Sequence, residues 1–198
     1  MIVIKSRTPA DVHSIGHPNW VDAEDISVSF KIGHDGRNIY LSYLVEEPQV
    51  RAVNTALNSP VWEDSCVEFF FSPGGDRKYY YNFEFNAIGT VLGAYGKDRH
   101  QREHLTESVL SQVITEPSLG REPIAGSREP STWNLQVKIP VGVLIHHKIE
   151  DLSGMVAYGN FYKCGDKLDH PHYLSWEPVP SPNPDFHLPI HFGLLSFQ

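Results

Sequence analysis

The chain has 198 residues, 40% hydrophobic and 20% charged, which suits one domain, or at most two, with a sizeable buried core. Sixteen basic residues against 24 acidic ones leave a net charge of −8, which argues against nucleic acid and anionic membranes as partners, since both need a basic surface. No apolar run approaches the roughly 20 residues of a membrane-spanning helix, and the start Met1-Ile-Val-Ile-Lys-Ser-Arg7 lacks the charged-then-apolar layout of a signal peptide. The expectation is a cytoplasmic protein, or a secreted or periplasmic one whose export signal has been removed.

Ile2 to Lys5 is a short predicted strand, followed by a loop over 7–25 that carries Pro9, Gly16, Pro18 and a core or lid aromatic, Trp20. Ser27–Ile32 and Ile39–Glu46 form a hairpin; Val28, Phe30 and Ile32 alternate with polar residues, as in a half-buried strand. Residues 47–64 make a long connection without a clear period. Connections of that length inside a compact domain are commonly functional or mobile, and this one ends at Trp62.

The most informative stretch follows. Two runs rich in aromatics flank Ser-Pro-Gly-Gly-Asp, which predicts a β-hairpin. Alternation puts Val67, Phe69 and Phe71 on one face, with Tyr79, Tyr81, Phe83 and Phe85. Cys66, Glu68 and Phe70 lie on the other, with Tyr80, Asn82, Glu84 and Asn86. Pairing Phe71 with Tyr79 predicts Glu68 opposite Asn82 and Cys66 opposite Glu84. The polar face reads either as an ordinary solvated sheet surface or as a platform for a polar ligand with an apolar side, such as a sugar ring.

Further on, Thr90–Tyr95 is a predicted strand, 97–112 a polar excursion or short helix, and 116–130 a loop with three prolines. Trp133, Leu135, Val137 and Ile139 alternate with polar residues, and a turn or short helix over 141–147 follows. Met155–Cys164 and Tyr173–Trp176 are predicted strands; a proline-rich loop then leads to a last one, Phe192–Phe197. Eight to ten strands without a strong amphipathic helix indicate an all-β protein, a single β-sandwich over 1–198.

Several patterns bear on chemistry. His100-Gln-Arg-Glu-His104 spells a zinc-peptidase motif but would need a helix, and His187 and His191 are separated by Pro189, which forbids one. His170 and His172 flank Pro171 and read as solvent-facing or satisfied core histidines. No nucleophile elbow, P-loop or dinucleotide glycine fingerprint is present. Glu63, Asp64, Glu68 and Glu84 could supply a glycosidase pair, though the sequence gives no separation. Cys66 and Cys164 read as two buried thiols, or as a disulfide if their strands are neighbours; two cysteines alone cannot build a structural zinc site.

Val61-Trp-Glu-Asp-Ser-Cys-Val-Glu-Phe-Phe70, Tyr81-Asn-Phe-Glu-Phe-Asn-Ala-Ile-Gly89, Gly159-Asn-Phe-Tyr-Lys-Cys-Gly-Asp166, Pro171-His-Tyr-Leu-Ser-Trp176, Pro184-Asp-Phe-His187 and the closing Phe192-Gly-Leu-Leu195 together resemble carbohydrate-binding module family 9 domains over about residues 20–198. The resemblance implies a DOMON-like sandwich, jelly-roll or immunoglobulin-like in type, and non-catalytic recognition of a mono- or oligosaccharide held between two tryptophans. Such modules are commonly appended to xylan-degrading enzymes, which suggests polysaccharides such as xylan or cellulose as targets. Trp62 and Trp176 match the two indoles, and Glu68 the hydrogen-bonding glutamate. Asn82 and Asn86 follow from the hairpin register, and Arg99 or Arg102 would fill an expected arginine. No cofactor is required, but the resemblance allows structural calcium. A hydrolase using strand carboxylates and an interaction sandwich without sugar binding are the competing readings; haem binding is a weaker one, with Met155 besides Met1 as the available methionine.

Overall fold

The computed structural model describes residues 1–5, 11–127 and 129–198. The predicted loops over 7–25 and 116–130 therefore fall partly outside it, at Arg7–Ala10 and at Arg128. Sixteen strands are found among the described residues: β1 (Ile2–Ile4), β2 (His13–Ser14), β3 (His17–Pro18), β4 (Ser27–His34), β5 (Asn38–Glu47), β6 (Val50–Ala52), β7 (Cys66–Ser72) and β8 (Tyr80–Asn86), then β9 (Val91–Gly96), β10 (Arg102–His104), β11 (Ile114–Pro117), β12 (Ile124–Ser127), β13 (Ser131–Pro140), β14 (Val156–Cys164), β15 (Tyr173–Ser175) and β16 (Gly193–Phe197). The one α-helix among them is a single turn, Glu107–Leu110.

Two sheets make the sandwich. One runs β1-β16-β14-β7-β8-β9-β10, with β15 on β14 and β3 on β15; the other runs β11-β13-β5-β4-β2. β6 and β12 pair separately. The extra strands lie where the sequence reads as connection or loop: β2 and β3 inside 7–25, β6 inside 47–64, β10 inside the polar excursion, and β11 and β12 within or beside 116–130. They are two to four residues long, too short for alternation to register.

Alternation explains the core. Ile39, Leu41, Tyr43 and Val45 of β5 point inward beside Trp133, Leu135, Val137 and Ile139 of β13. Phe30 of β4 stacks on Phe161 of β14 with ring centroids 3.8 Å apart, and Phe69 of β7 lies 4.8 Å from Phe161 on its own sheet. Where β5 ends, buried Glu47 accepts from Trp133 Nε1 at 2.7 Å and pairs with buried Lys163 at 2.9 Å. An unpaired charge there would be costly, so the pair is kept together.

The central hairpin keeps its two predicted faces but not its predicted register. Phe71 pairs with Tyr81, Phe69 with Phe83 and Val67 with Phe85; on the outer face Phe70 meets Asn82, Glu68 meets Glu84 and Cys66 meets Asn86. The turn is longer than Ser-Pro-Gly-Gly-Asp. It extends to Tyr79, whose carbonyl accepts from Ser72 Oγ at 2.7 Å, and it includes Arg77 at φ 53°. A slip of two residues leaves every side chain on its own face, so hydrophobic pattern cannot choose between these registers. The correction brings two carboxylates directly opposite each other.

The outer face is not solvated. Residues 177–192 fold across it: Phe186 stacks on Tyr162 at 4.1 Å and Phe192 lies edge-on to Tyr80 at 5.4 Å. A second apolar cluster, separate from the sandwich core, results.

Candidate functional site

One side of this second layer opens as a cleft of about 460 Å³. Its floor carries Glu68, Glu84 and Cys164; its walls include Trp20, Trp62, Tyr173 and Phe186; Arg99, Arg102, Asp166, Asp185, His100 and His187 stand around it.

Trp62 sits on a 3₁₀ turn, Val61–Glu63, and is 37% exposed. The turn is anchored by Asp64, fully buried, whose carboxylate pairs with Arg51 and accepts from the backbone N–H of Val53 and Asn54 and from the Asn54 and Asn86 side chains. The long connection thus has a fixed end, and a partly exposed indole on an anchored backbone can present a face to a ligand. Asn86 therefore acts on the backbone beneath Trp62 and does not line the cleft.

Trp20 adopts φ 66°, a left-handed conformation that a bulky residue rarely takes. It is over-determined by its surroundings. Its Nε1 donates to Ser181 O at 2.6 Å, and its ring lies 5.7 Å from Tyr173 and 5.3 Å from Phe186. Asn19 next to it bonds Ser175 Oγ and receives Val179 N–H, tying this segment to the C-terminal one.

Trp176 is placed elsewhere. It is partly buried and packs against the sandwich core, edge-on to Phe161 at 5.9 Å and 6.4 Å from Phe30. Gly193 makes the room, since a Cβ there would lie 2.5 Å from the Trp176 ring. The expected pairing of Trp62 with Trp176 is therefore not formed: Tyr173 faces the cleft, whereas Leu174 and, two residues on, Trp176 face the sandwich core. Trp20 is the second tryptophan of the cleft.

Arg102 donates to His187 Nε2 at 2.8 Å and lies 3.9 Å from Glu84. With Nε2 accepting, His187 Nδ1 carries the proton and Tyr80 oxygen accepts it at 2.8 Å. Burial and the Arg102 charge hold the His187 pKa well below its ordinary value, which agrees with a neutral ring. Arg99 is exposed and reaches Pro184 O at 3.4 Å. Asn82 donates to Glu84 Oε1 at 2.9 Å, below the cleft surface.

The floor is electrostatically unusual. Glu68 Oε1 accepts from the Cys164 thiol at 3.0 Å, but Glu68 Oε2 and Glu84 Oε2 are buried with no hydrogen-bond partner. Burial, and then the charge of Glu84, raise the Glu68 pKa well above normal. Burial raises Glu84 to about 7 against the opposing pull of Arg102 and Asn82. Two carboxyls this close do not both ionise freely at neutral pH.

The histidine motifs fall outside metal chemistry. His100 lies in a loop and Glu103 and His104 on β10, and His172 is buried against Lys163 at 2.6 Å. Among the described residues one convergence of three His, Cys, Asp or Glu side chains occurs, Cys66, Glu68 and Cys164. Two sulfurs and a carboxylate do not suit calcium, which takes six to eight oxygens. Cys66 and Cys164 are Cα partners on neighbouring strands and are free, buried thiols. No helix of the described residues is long and apolar enough to cross a membrane.

The model of carbohydrate-binding family 9 matches residues 4–197. The chain belongs to carbohydrate-binding family 9. Membership supports carbohydrate binding as its class of function. A structure from Bacteroides uniformis ATCC 8492, described as a candidate carbohydrate-binding protein, is 38% identical and superposes with a TM-score of 0.90, covering 100% of this chain and 98% of that one. Family 9 modules from Caldicellulosiruptor kristjanssonii share the fold at much lower identity. One, in complex with glucose, has 11% identity and a TM-score of 0.62, covering 100% of this chain and 95% of that one. The other, in complex with cellotriose, has 12% identity and a TM-score of 0.61, covering 100% and 93%. No curated protein matches the chain significantly.

Proposed function

We propose that this family 9 domain binds a saccharide non-catalytically in the cleft, with Trp62 as the stacking platform. The observation that carries the reading is the conjunction of a partly exposed indole on an anchored backbone with a floor of buried carboxyl oxygens that lack donors. An apolar sugar face packs on an aromatic ring, and the ring's hydroxyls donate to carboxylates. Trp20, Tyr173 and Phe186 supply the remaining apolar wall. Glu68 and Glu84 accept hydroxyl protons, and Arg99 and Arg102 donate to sugar oxygens. The cleft volume suits one or two sugar units, and the glucose and cellotriose bound by the Caldicellulosiruptor modules make glucose and short β-glucans the first ligands to try.

Calorimetric titration with glucose, xylose, cellobiose, xylobiose and cellotriose tests the proposal. One sugar class should bind saturably, without turnover. Trp62→Ala should weaken that sugar by roughly tenfold or more. Trp176→Ala, if it remains folded, should leave affinity within about twofold, because its ring packs against the core and does not line the cleft. Binding that survives Trp62→Ala unchanged would place the ligand elsewhere.

A further inference from the structure

Beneath the cleft, Cys66 of β7 and Cys164 of β14 are directly opposed across the strand pair, and Glu68 stands two residues along on the same face. Their two sulfurs and a Glu68 carboxylate oxygen lie within 4.8 Å of one another, and all three residues are buried. Glu68 Oε2 has no hydrogen-bond partner. Among the described residues no basic side chain forms an ion pair with Glu68: Arg102 reaches Glu84, and Lys163 is engaged by Glu47 on the opposite face of β14.

We infer that Cys66, Cys164 and Glu68 form a three-ligand site for a borderline-soft divalent cation of the zinc class, open on the cleft side. The donor set decides the class. Two sulfurs select Zn²⁺ or Co²⁺ over calcium or magnesium. Zinc binds sulfur at roughly 2.3 Å and carboxylate oxygen at roughly 2.0–2.2 Å. The ion displaces both thiol protons, and the Glu68 proton where present, to solvent; ligand bonds replace S–H bonds and no oxidant is involved. Its charge would meet a buried carboxyl that, among the described residues, forms no ion pair with a basic side chain. Glu68 and Cys164 both line the cleft, which provides a route for entry and a fourth coordination position for water or a ligand hydroxyl. Three protein ligands with one open position distinguish such a site from closed structural zinc centres.

Cobalt is the probe. The full chain, reduced with a phosphine and freed of metal by chelator, is titrated with Co²⁺. The expected result is a saturable thiolate-to-cobalt charge-transfer band at one Co²⁺ per chain, bleached by Zn²⁺. Glu68→Gln keeps both thiolates and should retain the band with affinity weakened roughly ten- to a hundredfold. Cys66→Ser and Cys164→Ser should each remove most of the band. Circular dichroism confirms the fold of each variant, and the wild-type stoichiometry and band stand without them. Absence of a charge-transfer band in the reduced wild type overturns the site, as does a band that persists in both folded serine variants. The readout needs no sugar, so its failure is separate from failure of saccharide binding, which is titrated on the metal-free protein.

Discussion

The two faces of the β7–β8 pair share the same backbone yet follow opposite rules. The inner face is Val67, Phe69, Phe71, Tyr81, Phe83 and Phe85, fully buried in the core of the sandwich. The outer face is just as buried, but it carries Cys66, Glu68, Asn82, Glu84 and Asn86 among its aromatics. Stability alone would favour apolar residues there, since a buried polar atom without a partner costs on the order of 1–3 kcal/mol. On this surface several such atoms cluster under one opening. Burial therefore does not separate core from site in this protein; hydrogen-bond satisfaction does.

The sharpest way to break this contrast is to truncate the inner face. Phe69→Ala should cost about 3–5 kcal/mol in urea unfolding, as large aromatic truncations in close-packed cores do. A loss below about 1 kcal/mol would mean that the inner face is not the principal core. The next effect is on the outer face and depends on pH. Glu84 has a folded-state pKa of about 7 against an ordinary 4.5, raised by burial. The stability contributed by its protonated form is complete below about pH 4.5 and is lost as pH rises through 7. Glu84→Gln should remove that loss, so the variant should gain roughly 2–3 kcal/mol on wild type between pH 5 and pH 8. Glu68 acts in the same direction. His172 acts oppositely: burial and Lys163 hold its pKa down to about 2, so its neutral form costs stability as pH falls below the ordinary 6.5. Comparing wild type with the single variant isolates the carboxyl effect from the histidine one. A pair of parallel stability–pH curves would show that Glu84 ionises as readily in the fold as in the unfolded chain.

The smallest expected stability change is the most telling about the cleft. Trp62→Ala should alter unfolding free energy by less than about 1 kcal/mol, because the indole is 37% exposed and its turn is held by Asp64. Asp64→Ala should do what Trp62→Ala does to sugar affinity and also lower stability by about 1–3 kcal/mol, because it strands several buried donors. Measuring affinity and unfolding together separates the residue that touches the ligand from the one that positions it.

Much of this was written locally. Period-two alternation in Val28–Ile32, Trp133–Ile139 and the central hairpin assigned faces that the structure keeps, because a strand has no other way to sort its side chains. Recurring aromatic blocks marked the family, and the exposed position of Trp62 followed from its place at the end of a long connection. Three things were beyond local reading. Register in the central hairpin was ambiguous by two residues, because parity is blind to such a slip, and only the longer turn set Glu68 opposite Glu84. Trp176 went to the core side and Trp20, legible only as a core or lid aromatic, became a wall of the cleft, because the room beside Gly193 and the contacts that hold Trp20 come from segments far apart in sequence. Finally, the outer face became a lined cleft only when residues 177–192 folded over it, since no alternation pattern states what will cover a strand.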